Sequence, residues 1–128
     1  MDITQLPSYD EQLKTYLETH PDTFIMILTP CYNGELTSNY CASMIELTQY
    51  LTLMHLRFTV QFVSDSLVTR SRNNLIARSM GYPDSVTHML FIDADITFRY
   101  HDIVKLLVTN KDVIGGIYPL KKYNWSHL

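Results

Sequence analysis

The feature that most constrains the fold of this chain is an uninterrupted apolar run, FIMIL, at residues 24–28. A strand with one face in water alternates apolar and polar side chains, whereas this run has no polar position. It therefore predicts a strand covered on both faces, as in a parallel sheet with helices on either side. Thr29 to Gly34 follow the run, and the proline, asparagine and glycine among them predict a loop.

Helical and strand-like patterns alternate along the rest of the chain. Ser8 and Glu11 fit a capping box, which predicts a first helix that packs on the main fold. Apolar spacing predicts further elements: helices over 40–54, 67–80 and 103–107, and strands over 58–63, 86–92 and 113–114. This alternation favours right-handed crossovers and a mostly parallel sheet. We expect one α/β domain over 1–128, with a three-layer, Rossmann-like core at 23–124 and an N-terminal helical appendage at 1–22.

The composition narrows the class of protein. With 128 residues, 46% hydrophobic and 18% charged, the chain is expected to form a single globular domain. Its net charge of −3 gives no reason to expect nucleic acid as a partner. No run approaches the ~20 apolar residues of a membrane span, and the first residues do not resemble a signal peptide. Cys31 and Cys41 are the only cysteines, which indicates a reducing, cytoplasmic compartment, although a bridge between them stays open.

Two carboxylates follow the predicted strand over 86–92. Asp93 and Asp95 are two residues apart, and side chains at that spacing in a strand point the same way. We therefore expect both carboxylates on one side of the strand end, at the carboxyl edge of the sheet. Hard divalent cations prefer oxygen ligands and keep positions open for phosphate or water, so the pair predicts a metal site. The alternative is a strand that ends in solvated aspartates, one of which caps a turn.

A basic segment joins the second predicted strand to the helix that follows it. It contains Arg70, Arg72 and Arg78, and no acidic residue occurs over 66–83. Arginines near a helix N-terminus add fork-shaped donors to backbone N–H groups that already favour an anion. The segment therefore predicts an anion site. Its alternative is a solvated basic helix face, on which Asn73 is a tolerated surface residue.

The loop after the first strand offers further candidates. Tyr32 is placed to stack on a nucleotide base and Thr29 to hydrogen-bond it, whereas the alternative is a rigid turn with a half-buried tyrosine. Several other functional classes are disfavoured because their sequence motifs are absent. The chain has no GxGxxG, no GxxxxGK[ST] and no GxSxG, and its five histidines lack zinc-ligand spacing.

Taken together, these segments resemble the GT-A superfamily of nucleotide-sugar glycosyltransferases. The matching residues are Thr29-Pro30-Cys31-Tyr32, Ser71-Arg72-Asn73, Asp93-Ala94-Asp95 placed as a DxD motif, and Tyr118-Pro119-Leu120-Lys121, which looks like the YPxK of related small transferases. The chain looks most like the small GT-A domains encoded by large DNA viruses of algae and protists. The resemblance covers about residues 23–124.

The resemblance implies a GT-A core that binds a UDP-type sugar donor and transfers the sugar to a glycan or protein acceptor. Asp95 would ligate Mn²⁺ or Mg²⁺ that bridges the two phosphates, and Asp93 would contact the ribose, or the metal through water. Asp65 and Arg72 would bind the base or the sugar. The other substrate-binding residues would be Thr29, Pro30, Tyr32, Asn73 and Lys121.

The chain departs from the family pattern after the Asp pair. An inverting member needs a base carboxylate in its acceptor-binding half, but no Asp or Glu follows Asp112. We therefore expect a partner chain, an oligomer or a missing segment to supply the base, or a chain that binds a donor without efficient transfer. The alternative function is a non-catalytic nucleotide-binding or assembly module that keeps the GT-A scaffold.

The position of Arg72 gives a first test. If Arg72 faces the nucleotide sugar, Arg72→Ala should weaken UDP-sugar binding by roughly 1.5–3 kcal/mol, the range for a charge-assisted hydrogen bond. Arg78→Ala is the matched control, because Arg78 lies six residues further along the same predicted helix, close to its C-terminal end. Calorimetric titration measures both variants, and an equal effect would make Arg72 an ordinary surface arginine.

Overall fold

The fold is built around one central strand. The computed structural model describes residues 8–65 and 86–116, without the side chains of Tyr32 and Asp65. Its elements in chain order are α1 (Tyr9–Thr19), β1 (Phe24–Tyr32), α2 (Ser38–Leu53), β2 (Arg57–Asp65), β3 (His88–Phe91) and α3 (Tyr100–Val108). The predicted helix over 67–80 lies outside the described residues.

The three described strands form one parallel sheet. Their order is β2-β1-β3, and β1 pairs in parallel with both neighbours. Phe24 to Tyr32 pair with Arg57 to Asp65, and Ile25 to Leu28 pair with His88 to Phe91. The prediction of a parallel sheet in an α/β domain is thus confirmed, and the arrangement is consistent with a Rossmann-like fold.

The two faces of β1 explain why its sequence has no polar position. Ile25 and Ile27 belong to the main core, which also contains apolar side chains of α1, α2 and α3. Met26 and Leu28 point to the opposite face and pack with Val63 of β2. Every residue from Phe24 to Cys31 is buried, so the prediction of a strand covered on both faces is confirmed.

The first helix begins where the sequence predicts, whereas α2 begins two residues before the predicted position 40 and α3 begins three residues before the predicted position 103. At α1, the Ser8 hydroxyl accepts from the Glu11 N–H while the Glu11 carboxylate accepts from the Ser8 N–H, which completes the capping box. Leu13 of α1 is fully buried in the main core. In α2, the predicted stripe supplies the buried residues Tyr40, Met44, Leu47 and Leu51. No helix in the described parts of the chain is long and apolar enough to cross a membrane.

The bounds of all four predicted strands need correction, and β2 runs from Arg57 to Asp65, beyond the predicted 58–63. β1 does not end at Leu28, because backbone pairing with β2 continues to Tyr32 and includes Pro30. β3 is shorter than predicted and ends at Phe91. The strand predicted over 113–114 is wrong, since these residues have no strand structure and Val113 is 92% exposed.

Topology explains why the described residues after α3, as far as Gly116, add no parallel strand beside β3. The α3 residues Ile103 and Val104 lie in the same core as Ile25 and Ile27, so α3 and α2 cover the same face of the sheet. The connection from β1 through α2 to β2 is expected to be a right-handed crossover. Because α3 covers the same face of the sheet, a right-handed crossover through α3 would step in the same direction, which from β3 is towards β1. That edge of β3 is already paired with β1. A parallel strand on the outer edge of β3 would therefore need the rare left-handed connection.

A small polar cluster joins α1 to the start of β3. The Tyr16 hydroxyl lies 3.2 Å from Nε2 of His88, and the Thr87 hydroxyl lies 2.7 Å from Nδ1 of the same ring. The His20 ring stacks on Tyr16. Burial, followed by the nearby His20, lowers the pKa of His88 below its ordinary value of 6.5. The folded protein therefore resists protonation of His88.

We predict that acid destabilises the fold through this cluster. Between the lowered pKa of His88 and its ordinary value of 6.5, the unfolded chain binds more protons than the folded chain. The free energy of unfolding should therefore begin to fall near the ordinary value and keep falling until the pH passes the folded pKa. Urea denaturation over a pH series should show a flatter dependence for His88→Gln than for wild type. His101→Gln is the control, and equal slopes for His88→Gln and wild type would contradict the assignment.

Candidate functional site

The carboxyl edge of the sheet contains a point where the strand order reverses. From β1 the chain first steps to β2 on one side, and it later enters β3 on the other side. In open parallel sheets the crevice outside the carboxyl ends of two such strands is the usual ligand site. Here the crevice lies beyond the ends of β1 and β3. The segments that border it follow Tyr32 and Phe91.

A tight turn closes the end of β1. Asn33 and Gly34 both have positive φ, and the Gly34 N–H donates to the Cys31 carbonyl at 3.2 Å. A Cβ at Gly34 would lie 3.2 Å from the Ser64 Oγ, near the end of β2. This close approach, together with a φ of +74°, favours glycine and brings the ends of β1 and β2 together at the same edge.

The Asp pair lies on a turn and not in the strand. The Ile92 N–H donates to the Leu28 carbonyl at 3.1 Å, which extends the β1–β3 ladder by one residue beyond Phe91. The Ile96 N–H then donates to the Asp93 carbonyl at 3.2 Å. The expectation that strand alternation aligns Asp93 and Asp95 is therefore wrong, because the strand has ended before them. Both residues still lie at the carboxyl edge, with Asp93 half-buried and Asp95 exposed.

The first half of α2 holds this turn. The Thr37 N–H donates to the Ala94 carbonyl at 3.0 Å, and the Thr37 hydroxyl donates to the same oxygen at 3.4 Å. Thr37 is also the N-cap of α2, where its hydroxyl accepts from the Tyr40 N–H at 3.1 Å. One residue therefore starts the helix and fixes the peptide between Asp93 and Asp95.

Two further contacts hold the segment between the turn and α3. The Phe98 N–H donates to the Ser43 hydroxyl at 3.0 Å. One carboxylate oxygen of Glu46 accepts from the Arg99 guanidinium at 2.8 Å and from the Tyr100 N–H at 3.1 Å. The hydrogen bond from Arg99, and then that from the Tyr100 backbone, lower the pKa of Glu46, so this acceptor stays ionised.

Asp93 and Asp95 bring two carboxylates onto one turn, and carboxylate oxygens are the donors that Mg²⁺ and Mn²⁺ prefer. Among the described residues, no group of three or more His, Cys, Asp or Glu side chains is arranged to hold a metal. Asp93 and Asp95 therefore offer a partial ligand set of two hard oxygen donors. Mg²⁺ is commonly bound by one or two carboxylates, with water and substrate phosphates in its other positions. The donor set therefore suits a phosphate-bridging cation better than a closed structural metal.

The structure changes the interpretation of Thr29 and Pro30. Thr29 has no exposed surface, and its hydroxyl is hydrogen-bonded to the Tyr40 hydroxyl at 2.5 Å. Pro30 is buried within β1. The predicted contacts of these two residues with a nucleotide are therefore corrected: both belong to the interior. The side chains of Tyr32 and Asp65, and all of Arg72, Asn73 and Lys121, lie outside the described residues.

The sequence interpretation missed Thr37, which holds the Asp turn, and Ser43 and Glu46, which hold the segment between that turn and α3. Thr37 had a usable signal, because a threonine just before an apolar helical stripe is a candidate N-cap. The other two had none, since Ser43 contacts Phe98 and Glu46 contacts Arg99, each more than fifty residues along the chain.

Comparisons of the chain with protein families, with curated proteins and with solved structures find no match.

The buried contact between Thr29 and Tyr40 gives a test of the corrected role. Thr29→Val should lower the free energy of unfolding by about 1–3 kcal/mol, because it leaves the Tyr40 hydroxyl buried without this partner. Adding Tyr40→Phe should recover part of the loss, since both polar groups are then removed. Urea denaturation of the two single variants and the double variant completes the cycle. Additive losses would show that the two hydroxyls do not interact.

Proposed function

We propose that this protein is a metal-dependent glycosyltransferase of the GT-A type, or the donor-binding half of one, that uses a UDP-type nucleotide sugar. The observation that supports this most is the Asp93–Asp95 turn beside the crevice between β1 and β3. The turn combines two oxygen donors with the edge of a parallel sheet at which ligands usually bind. The resemblance of Asp93-Ala94-Asp95 to a DxD motif agrees with this position.

A nucleoside diphosphate is the ligand class that this site favours. Two carboxylates repel a diphosphate unless a cation lies between them, and the chain carries a net charge of −3. In the proposed complex, Asp95 would ligate Mn²⁺ or Mg²⁺, and Asp93 would ligate it too or contact the ribose. When bound, the cation supplies charge stabilisation for the departing diphosphate. Arg72, Asn73 and Lys121 remain sequence-based candidates for contacts with the donor.

A non-catalytic nucleotide-binding module is the second candidate, and the described carboxylates beyond Asp95 favour it. The Asp102 carboxylate accepts from the Arg99 N–H at 3.0 Å and is engaged at the start of α3. Asp112 lies beyond the end of α3 in an exposed segment. Neither is placed on the Asp93–Asp95 turn, where a base for the acceptor hydroxyl would be needed. Hydrolysis or transfer of a UDP-sugar, followed by product analysis, separates the enzyme from the module.

We predict that UDP binding depends on the cation and on Asp95. Wild type should bind UDP at least about tenfold more tightly with Mn²⁺ than with EDTA, since a cation held by the Asp pair would attract the phosphates and couple the two binding events. Asp95→Asn should remove most of this difference, because the neutral amide is a poorer ligand for a hard cation. Calorimetric titration of UDP in the presence of Mn²⁺ or EDTA measures both effects.

Asp112→Asn is the matched control for this experiment. It removes the same charge from an exposed aspartate that lies away from the turn, and it should bind like wild type. Equal UDP affinity with Mn²⁺ and with EDTA in wild type would refute the proposed metal dependence. An equal loss in Asp95→Asn and Asp112→Asn would assign the effect to net charge and not to ligation.

A further inference from the structure

We infer that Ser43 is a positioning residue for the Asp93–Asp95 turn and sets the affinity of the metal–diphosphate site, an inference that rests on the proposed function. Ser43 lies on α2 and touches neither carboxylate in the contacts described above. Its role follows from the hydrogen bond that its hydroxyl accepts from the Phe98 N–H. This hydrogen bond is buried, and it lies between the Asp turn and α3.

The segment from Asp93 to Arg99 joins β3 to α3 without helix or strand structure. A free connection of this kind would sample many conformations, and ordering it costs about 1–2 kcal/mol of backbone entropy for each residue. Here α2 holds the connection at three places. Thr37 binds Ala94, Ser43 binds Phe98, and Glu46 binds Arg99 and Tyr100. The Asp pair lies at one end of a segment that α2 and its N-cap contact at three places.

The middle contact is the buried one. The Ser43 residue is 6% exposed and Phe98 is 9% exposed. A serine here is less favourable for the helix than alanine, and it brings a polar group into the interior. The hydroxyl offsets this cost because it accepts the Phe98 N–H, which would otherwise be a buried donor without a partner. The Phe98 ring also lies edge-on to the Tyr40 ring, at 6.4 Å between centroids, which anchors the same residue in the core.

The outer contacts fix the two ends of the segment in different ways. At the Ala94 end, the main donor is the Thr37 backbone N–H, which no side-chain substitution removes. At the Arg99 end, the Glu46 carboxylate binds two donors, but both charged side chains are partly exposed to solvent. An exposed ion pair contributes little to stability. Removing the hydroxyl oxygen of Ser43 therefore removes the one buried hydrogen bond among these contacts.

Loss of this contact should weaken UDP binding in Mn²⁺ more than UDP binding in EDTA. Two carboxylates bind one cation well only if their separation and directions are set before binding, and residues that orient metal ligands commonly contribute ten- to a hundredfold in affinity, roughly. In EDTA the cation is removed, so UDP binding that remains there does not pass through a cation on the Asp turn. A merely structural role for Ser43 would lower the free energy of unfolding and leave the Mn²⁺ dependence of UDP binding unchanged.

Ser43→Ala and Thr52→Ala form the decisive pair of variants. Both remove one hydroxyl from α2, but Thr52 is exposed in the last turn, where its hydroxyl donates to the Thr48 carbonyl of the same helix. UDP is titrated in Mn²⁺ and in EDTA, at a temperature well below unfolding, and amide hydrogen exchange is followed over residues 93–99. We expect Ser43→Ala to bind UDP about tenfold more weakly in Mn²⁺, to match wild type in EDTA, and to exchange faster at Phe98. Thr52→Ala should match wild type in all three measurements.

The outcomes separate this inference from the proposed function. If wild type shows Mn²⁺-dependent UDP binding and Ser43→Ala shows the same dependence, Ser43 does not position the site, although the proposed function stands. If wild type shows no Mn²⁺ dependence, the proposed function fails, and the affinity role inferred for Ser43 fails with it. Unchanged exchange over residues 93–99 in Ser43→Ala would overturn the contact itself as a restraint.

A second variant answers the same question if Ser43→Ala does not fold. Glu46→Ala removes the acceptor at the α3 end of the segment from a partly exposed position. We expect a severalfold weaker affinity for UDP in Mn²⁺, with no change in EDTA. Glu18→Ala, an exposed substitution on α1, is its control. Equal binding by Glu46→Ala and Glu18→Ala in Mn²⁺ would overturn the premise that contacts from α2 to the segment before α3 set the affinity of the site, and the role of Ser43 with it.

Discussion

The pairing of β1 along both of its edges is the constraint on which the rest of the structure depends. Its residues from Phe24 to Cys31 are buried, so their backbone N–H and C=O groups must be satisfied by neighbouring strands. β2 and β3 do this in parallel, and parallel neighbours require crossover connections instead of tight hairpins. The connection from β1 to β2 contains α2, which covers Ile25 and Ile27. Once β1 lies between two parallel strands, the carboxyl ends of all three must meet at one edge.

Helix α2 links the interior to that edge. Its buried residues, such as Tyr40 and Leu47, pack on one face of β1, and its N-cap and first turns hold the segment that carries the Asp pair. The same rigid element therefore serves packing and the geometry of the candidate site. A change that shifts α2 on the sheet would also shift the peptide between Asp93 and Asp95. The position of the turn therefore depends on how α2 packs in the core, even though Asp95 itself is exposed.

Local patterns predict much of the fold, whereas contacts distant in sequence decide what they miss. The apolar run of β1, the stripe of α2 and the capping box at Ser8 are signals within a few residues, and all three are confirmed. The ends of strands depend on partners, so the continuation of β1 to Tyr32 and the loss of the strand at Val113 have no local signal. The sequence wrongly predicts a ligand contact for Thr29 because its partner, the Tyr40 hydroxyl, is not evident from the strand.

The candidate site shows the same division between local and distant information. The sequence predicts that Asp93 and Asp95 lie at the carboxyl edge, and the sheet places them there, but strand alternation is the wrong reason for their alignment. A turn has replaced the strand before Asp93, so the directions of the two side chains depend on the turn and on what holds it. That hold comes from Thr37 and Ser43, which contact residues 57 and 55 positions away, respectively.

The partial ligand set on the Asp turn has a thermodynamic consequence for the proposed site. Two carboxylates leave most positions of an octahedral cation to water or to a ligand, so the free protein should hold the cation weakly. A diphosphate that fills some of those positions raises the affinity for the cation, and by linkage the cation raises the affinity for the diphosphate by the same factor. The hydrogen bonds from Thr37 to Ala94 favour this coupling, because a turn that is held before binding costs less to order when the ligand arrives. Selectivity for a diphosphate over a neutral sugar would thus come from the shared cation, with α2 keeping the two carboxylates ready for it.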